Sequence, residues 1–304
     1  MKKVLRIIKK TFKILFILAI VGIFYSFGYT SYENIKVSQD FKTFKNRAVY
    51  EKTVTLNNGM EDYKRHYYKV SRETSFELND TRSVFRDDTE VKLGQKGDIF
   101  VTKLSPFKNV FGAHQFVSYY FGGHAAIYDG EKGYIESVGF PDDFKEFINI
   151  IKDDGENVPN YSTTVNLNRS DYWTHRSLSV HEDNYYKYYY RPEVVGLRIK
   201  DVDSASIDAF VDNAYEKYED NRLYNFLFFL DMKNKYYCTD LVSRAYTEVI
   251  HGESKGYAKE LNDDGFITSV NDLILSKQTY ITFIFEVKEE NDEIVEYLYY
   301  LEDI

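Results

Sequence analysis

The chain has 304 residues, with 39 Lys and Arg against 48 Asp and Glu, a formal net charge of −9. Six of those bases (Lys2, Lys3, Arg6, Lys9, Lys10, Lys13) fall in the first thirteen positions, which hold no acid, so the remainder carries 33 bases against 48 acids, or −15. Such an acidic body argues against nucleic acid or an anionic surface as partner, while 29 Tyr and 23 Phe supply a core and 4 Pro leave little room for long disordered linkers.

Residues 14–32 carry no charge and are mostly apolar, beginning Ile14-Leu15-Phe16-Ile17-Leu18-Ala19-Ile20. The length is near the roughly 20 residues a helix needs to cross a bilayer. The basic segment 1–13 precedes it, so the positive-inside rule predicts a cytoplasmic N-terminus and an exported remainder in a single-pass membrane protein. The alternative is a cleaved signal peptide, although no clear small-x-small cleavage site follows the apolar run. An uncleaved anchor predicts one continuous helix packed on nothing in the rest of the protein. In either case the only cysteine, Cys238, is exported and has no partner within the chain for a disulfide.

Residues 33–92 are polar and mixed, and read as a juxtamembrane segment. Gly97-Asp98-Ile99-Phe100-Val101-Thr102 reads as a turn into a strand. Aromatic and glycine-rich residues follow, from Phe107 and Phe111 to Phe121, Gly122 and Gly123. The stretches 124–128 and 133–138 flank Asp129-Gly130-Glu131 and predict a β-hairpin. Pairing Tyr128 with Lys132 places His124 directly opposite Glu136, on the same face. Directly opposed Cβ atoms are about 5 Å apart, close enough for the carboxylate to accept the imidazole N–H and fix its tautomer. A plain cross-strand ion pair is the alternative.

Residues 141–192 are rich in Asn, Asp and Tyr, including the run 185–190, and read as an edge strand or aromatic groove wall. Residues 194–199 predict a strand. Residues 204–218 predict a helix capped by Ser204, with Ile207, Phe210, Val211, Ala214, Tyr215 and Tyr218 on one face. The stretch 235–246 is the organising one. After Cys238, apolar residues recur at Leu241, Val242, Ala245, Tyr246, Val249 and Ile250, the period of a buried helical face. Thr239 and Asp240 favour a helix N-terminus, where free N–H groups and the helix dipole favour an anion. A thiol placed there ionises more readily, and the thiolate is the nucleophile. An inert buried cysteine is the alternative. Residues 280–287 predict a strong strand, and 288–304 an acidic peripheral segment.

These motifs, in this order, resemble the circularly permuted papain-like branch of the NlpC-type amidases, the YiiX/YaeF-like group. The matching residues are Gly97-Asp98-Ile99, Gly123-His124-Ala125-Ala126-Ile127-Tyr128, Tyr134-Ile135-Glu136, Tyr237-Cys238-Thr239-Asp240-Leu241-Val242 and Thr268-Ser269-Val270-Asn271-Asp272-Leu273, within a domain spanning 93–287. The resemblance implies an α+β fold, with a small antiparallel sheet packed on the cysteine helix. It also implies Cys238 as nucleophile, His124 as general base and Glu136 as the residue orienting the imidazole. This chain has Thr239-Asp240 where the group tends to Ser-Glu, and a long insertion between Glu136 and Val194. The function expected is an outward-facing cysteine amidase or peptidase acting on cell-wall peptide amides. A lipid acyl hydrolase or acyltransferase and a catalytically silent peptide-binding module are the alternatives. His114 is expected in a loop, and His66, His175, His181 and His251 at the surface. No metal-ligand spacing or phosphate loop is present, so no metal or cofactor is expected.

Overall fold

Helix α1 runs unbroken from Lys2 to Asn46. It begins the computed structural model, which describes residues 2–57, 62–105, 112–131, 133–139, 141–156, 161–169, 173, 191–228, 232–251, 261–262, 267–291 and 293–304. The apolar part of α1 lies outside the domain, with Phe16 and Phe24 61% and 72% exposed. By length and composition this helix is able to cross a membrane. From Thr30 onward its character changes. Thr30, Glu33, Val37, Phe41 and Phe44 are buried, and their spacing of three and four is one stripe of a helix. The same rod that projects from the domain therefore becomes a core helix. The expectation that the whole run 14–32 packs on nothing is corrected at its end, where Phe27 and Ser31 meet Tyr119.

The remaining elements follow in order: β1 (Ala48–Asn57), β2 (Asp62–Val70), α2 (Ser75–Asn79), β3 (Ile99–Thr102), α3 (Ala113–Tyr120), β4 (His124–Tyr128), β5 (Tyr134–Ser137), α4 (Phe144–Lys152) and β6 (Val165–Asn168). Then come β7 (Glu193–Ile199), α5 (Ser204–Glu219), β8 (Leu223–Tyr224), β9 (Lys235–Tyr236), α6 (Cys238–His251), α7 (Val270–Leu275), β10 (Thr279–Glu290) and β11 (Glu293–Leu301). The strands predicted at 97–102, 194–199 and 280–287 and the hairpin are present as β3, β7, β10 and β4–β5. The helix at 204–218 is α5, but Asp203, not Ser204, caps it, its side chain accepting from Ser206 N.

The class is α+β. The sheet is large and mixed rather than small and antiparallel. Among the described residues nine strands run in the order β1-β2-β11-β10-β7-β3-β4-β5-β6. All neighbours are antiparallel except β2 and β11, which are parallel. Residues 33–92 thus supply the end of α1 and two strands of this sheet. Residues 288–304, expected to be peripheral, supply β11 between β2 and β10, with Val295, Leu298, Tyr300 and Leu301 buried. The acidic composition misleads there because Glu296 points inward. It is fully buried and accepts from Arg65 Nε at 2.7 Å, itself 1% exposed. A second buried pair, Arg198 Nε to Asp98 at 2.7 Å, ties β7 to the turn before β3. Helices α5 and α6 pack together and lie against β4 and β5, the part of the sheet that carries the hairpin.

Breaking a buried ion pair from one side strands the remaining charge. Glu296→Ala is expected to cost about 3–5 kcal/mol of stability, read from urea unfolding. A loss below about 1 kcal/mol, the range of exposed pairs, would show that the pair does not hold β11 in place.

Candidate active site

Three elements converge on one imidazole. His124 opens β4 directly after Gly123, whose N–H donates to Thr102 O at 2.9 Å. A Cβ on Gly123 would lie 2.0 Å from the Leu104 carbonyl oxygen, so only glycine lets the chain enter β4 this closely. Glu136 lies on β5 and is 2% exposed. Cys238 is the first residue of α6 and is half-buried.

The hairpin register differs from that expected. Tyr128 pairs with Tyr134 and Ile127 with Ile135, not Tyr128 with Lys132. The cause is a wider turn held by Asp129. Its N–H donates to Gly133 O at 2.9 Å, and its carboxylate accepts from Glu131 N and Gly133 N at 2.8 and 2.9 Å. This shift of two residues makes His124 and Glu136 diagonal rather than direct neighbours, still on one face. His124 Nε2 donates to Glu136 Oε2 at 2.8 Å. The other carboxylate oxygen accepts from Asn168 Nδ2 on β6 at 3.3 Å.

Cys238 is brought close enough to the same imidazole to raise its pKa. With Nε2 given to Glu136, Nδ1 is the ring nitrogen left for the thiol. The start of α6 is fixed from both sides of the cysteine. Leu241 N donates to Tyr237 O at 2.8 Å, the first turn of the helix. The Tyr237 hydroxyl accepts from Thr268 N at 2.7 Å, and Thr239 Oγ1 donates to Thr268 O at 2.5 Å. Thr239 is therefore used as an anchor to the 268–272 turn and not as a helix cap. Ser137 Oγ donates to Tyr236 O at 2.6 Å, tying the Glu136 strand to the segment that delivers Cys238. The Cys238 N–H occupies the first helical turn, where backbone donors have no acceptor within the helix.

Burial alone would lower the pKa of His124, and this is the largest single influence. The hydrogen bonds to Cys238 and then Glu136, with the negative charge of both, outweigh it and push the ring up to about 9. The imidazole therefore holds its proton at neutral pH, between two groups that favour an imidazolium. This is an arrangement in which an orienting carboxylate holds an imidazolium beside a thiol.

The sequence reading brought out His124, Glu136 and Cys238, and the structure brings the three together. It missed Trp173, the only tryptophan. Trp173 stacks on His124 with centroids 5.6 Å apart and planes within 6°, and the Arg191 guanidinium lies 4.1 Å from its ring centroid. Trp173 and Arg191 come from the stretch between Glu136 and Val194, where no periodicity marks a residue for the site. Asn168 was missed for the same reason, since its role depends on β6 joining β5.

His114 lies on α3, with Nδ1 3.1 Å from both Ser105 O and Ser105 Oγ, and does not join the site. His66 lies on β2, its ring tilted on Tyr297. His251 ends α6. His175, His181, Phe107, Phe111, Lys132 and the tyrosine run 185–190 lie outside the described residues. Among the described residues no group of three His, Cys, Asp or Glu is placed to hold a metal ion.

Comparison of the chain with protein-family models, curated proteins and solved structures finds no match.

A raised histidine pKa in the folded state means that the stabilisation is complete below the ordinary value of 6.5 and is lost as pH rises through about 9. NMR titration of the His124 ring is expected to give a midpoint near 9. In Glu136→Gln the midpoint is expected to fall, because one hydrogen-bonded anion is gone. A wild-type midpoint at or below 6.5 would contradict the charge arrangement.

Proposed function

We propose that this protein is a membrane-anchored cysteine amidase or peptidase with a permuted papain-like, NlpC-type catalytic domain. The observation that carries the reading is the convergence of three elements on His124, whose imidazole is bonded to Glu136 at 2.8 Å while the Cys238 thiol at the start of α6 lies near enough to raise its pKa. A buried ion pair kept only for stability has no need of a thiol at a helix start.

In the proposed reaction the Cys238 thiolate attacks an amide carbonyl carbon. A carbon–sulfur bond forms and the carbonyl π pair moves to oxygen, where the Cys238 N–H donates to the developing charge. His124 then gives its proton to the leaving amine as the carbon–nitrogen bond breaks, leaving a thioester on Cys238 and a neutral imidazole. Water, deprotonated by His124, attacks the thioester, and the acid product leaves as the thiolate–imidazolium pair is restored. Glu136 keeps the ring oriented throughout, and Trp173 limits its rotation from one face.

The substrate proposed is an amide bond of a cell-wall stem peptide, met outside the cytoplasmic membrane by a domain that α1 anchors with its basic end inside. Cleavage or transfer of a lipid acyl ester is the second reading. It draws support from the aromatic rings that connect α1 to Tyr237, the neighbour of Cys238.

Cys238→Ser is nearly isosteric, and it is expected to keep the fold and abolish turnover of stem peptides or acyl esters, because a hydroxyl here is a far poorer nucleophile. Product analysis by mass spectrometry checks this. Activity remaining within a few-fold of the parent would remove the nucleophile assignment. For the anchor, the full-length chain is expected to stay with the membrane in alkaline carbonate and to be cut by protease added outside spheroplasts. Protection of the domain in intact spheroplasts would reverse the topology.

A further inference from the structure

Between Asn109 and Tyr128 the chain has no Asp, Glu, Lys or Arg, in a protein where charged residues are 29%. Helix α3 lies in this stretch and is clamped to α1. Tyr119 stacks on Phe27 with centroids 5.5 Å apart. Its hydroxyl donates to Phe27 O at 3.2 Å and meets the Ser31 hydroxyl. Asn34 Nδ2 donates to Tyr119 O at 3.0 Å. The clamp falls where α1 passes from exposed on all sides to buried along one stripe.

That level on α1 is also where a bilayer has to end. Counting from Ile14, the roughly 20 residues that cross the hydrocarbon layer finish near Glu33, the first charge after Lys13. Helix α3 is therefore held at the depth of the lipid headgroups. Its outward side is aromatic: Phe116 is 55% exposed, and Tyr120 and Phe121 pack beside it at 4.9 and 5.9 Å between centroids. Tyr and Phe at this depth place rings in the acyl boundary, with the tyrosine hydroxyl in the wet layer. The rings continue inward, Phe121 stacking on Phe228 and Phe228 meeting Tyr237 at 5.4 Å, beside Cys238.

We propose that α3 beds in the leaflet through which α1 leaves the membrane, with Phe116 and Tyr120 against lipid, so that the domain rests on the bilayer with its catalytic helix one aromatic seam from the lipid boundary. The proposal rests on the anchor reading of α1. Its occupant is a zwitterionic bilayer surface. An acidic domain lacking charge on this helix gains nothing from anionic headgroups and associates through its rings.

The test uses the full-length chain carrying Cys238→Ser, which removes the only native thiol. Phe16→Cys, Phe116→Cys and Val49→Cys are each added separately, nitroxide-labelled and reconstituted in phosphatidylcholine vesicles. Relaxation by oxygen, which concentrates in lipid, is compared with relaxation by a water-soluble nickel chelate. Val49 is 66% exposed on β1, three residues past Asn46, the end of α1, which lies on the order of 30 Å along the helix from Phe27 at 1.5 Å per residue. The oxygen-to-nickel ratio is expected to be several-fold higher at 16 and 116 than at 49. A ratio at 116 equal to that at 49, with position 16 in lipid, overturns the docking of α3 and leaves the anchor standing. An aqueous ratio at 16 overturns both.

Discussion

The imidazole of His124 has to keep a proton in surroundings whose burial acts to remove it. Everything near it serves that end. Glu136 is buried and held by Asn168, so its charge cannot turn to solvent. The start of α6 is pinned through Tyr237 and Thr239 to Thr268, so the sulfur stays within reach of the ring. A ring bonded to a buried carboxylate keeps its proton against the pull of burial. The large sheet supplies the precision, because β4, β5 and β6 are consecutive strands and each contributes one polar group to the same place.

Much of this site could be read from the sequence, because its signals are local. Apolar residues after Cys238 repeat at helical spacing, and His124 and Glu136 lie on two strands joined by an evident turn. Even the register error left the pair on one face, since a shift of two residues preserves the side of a strand while a shift of one does not. Trp173 and Asn168 were not legible, because nothing in their neighbours' pattern says where the stretch between Glu136 and Val194 returns to the sheet. The acidic C-terminal segment was misread for a related reason. Glu296 belongs inside only because Arg65, 231 positions earlier, is there to meet it, and no local composition records that pairing. The extent of the sheet depends on the same long-range match between β2 and β11.

Gly97-Asp98-Ile99 acts on the histidine strand from a distance, through the sheet. Asp98 is bonded to none of His124, Glu136 and Cys238. It accepts from Gln95 N at 2.9 Å and pairs with Arg198, which holds the turn before β3 against β7. Strand β3 in turn pairs Thr102 with His124. The motif therefore sets the floor on which the histidine strand is laid.

The unbroken course of α1 has a mechanical meaning. A flexible tether would let a domain sweep a hemisphere of radius set by its linker. Here the stem enters the core as a rigid rod, with Val37, Phe41 and Phe44 locked into packing, so rotation of the domain would have to carry the rod with it. On the proposed anchoring, α6 and Cys238 are thereby held at one height and one bearing relative to the bilayer normal.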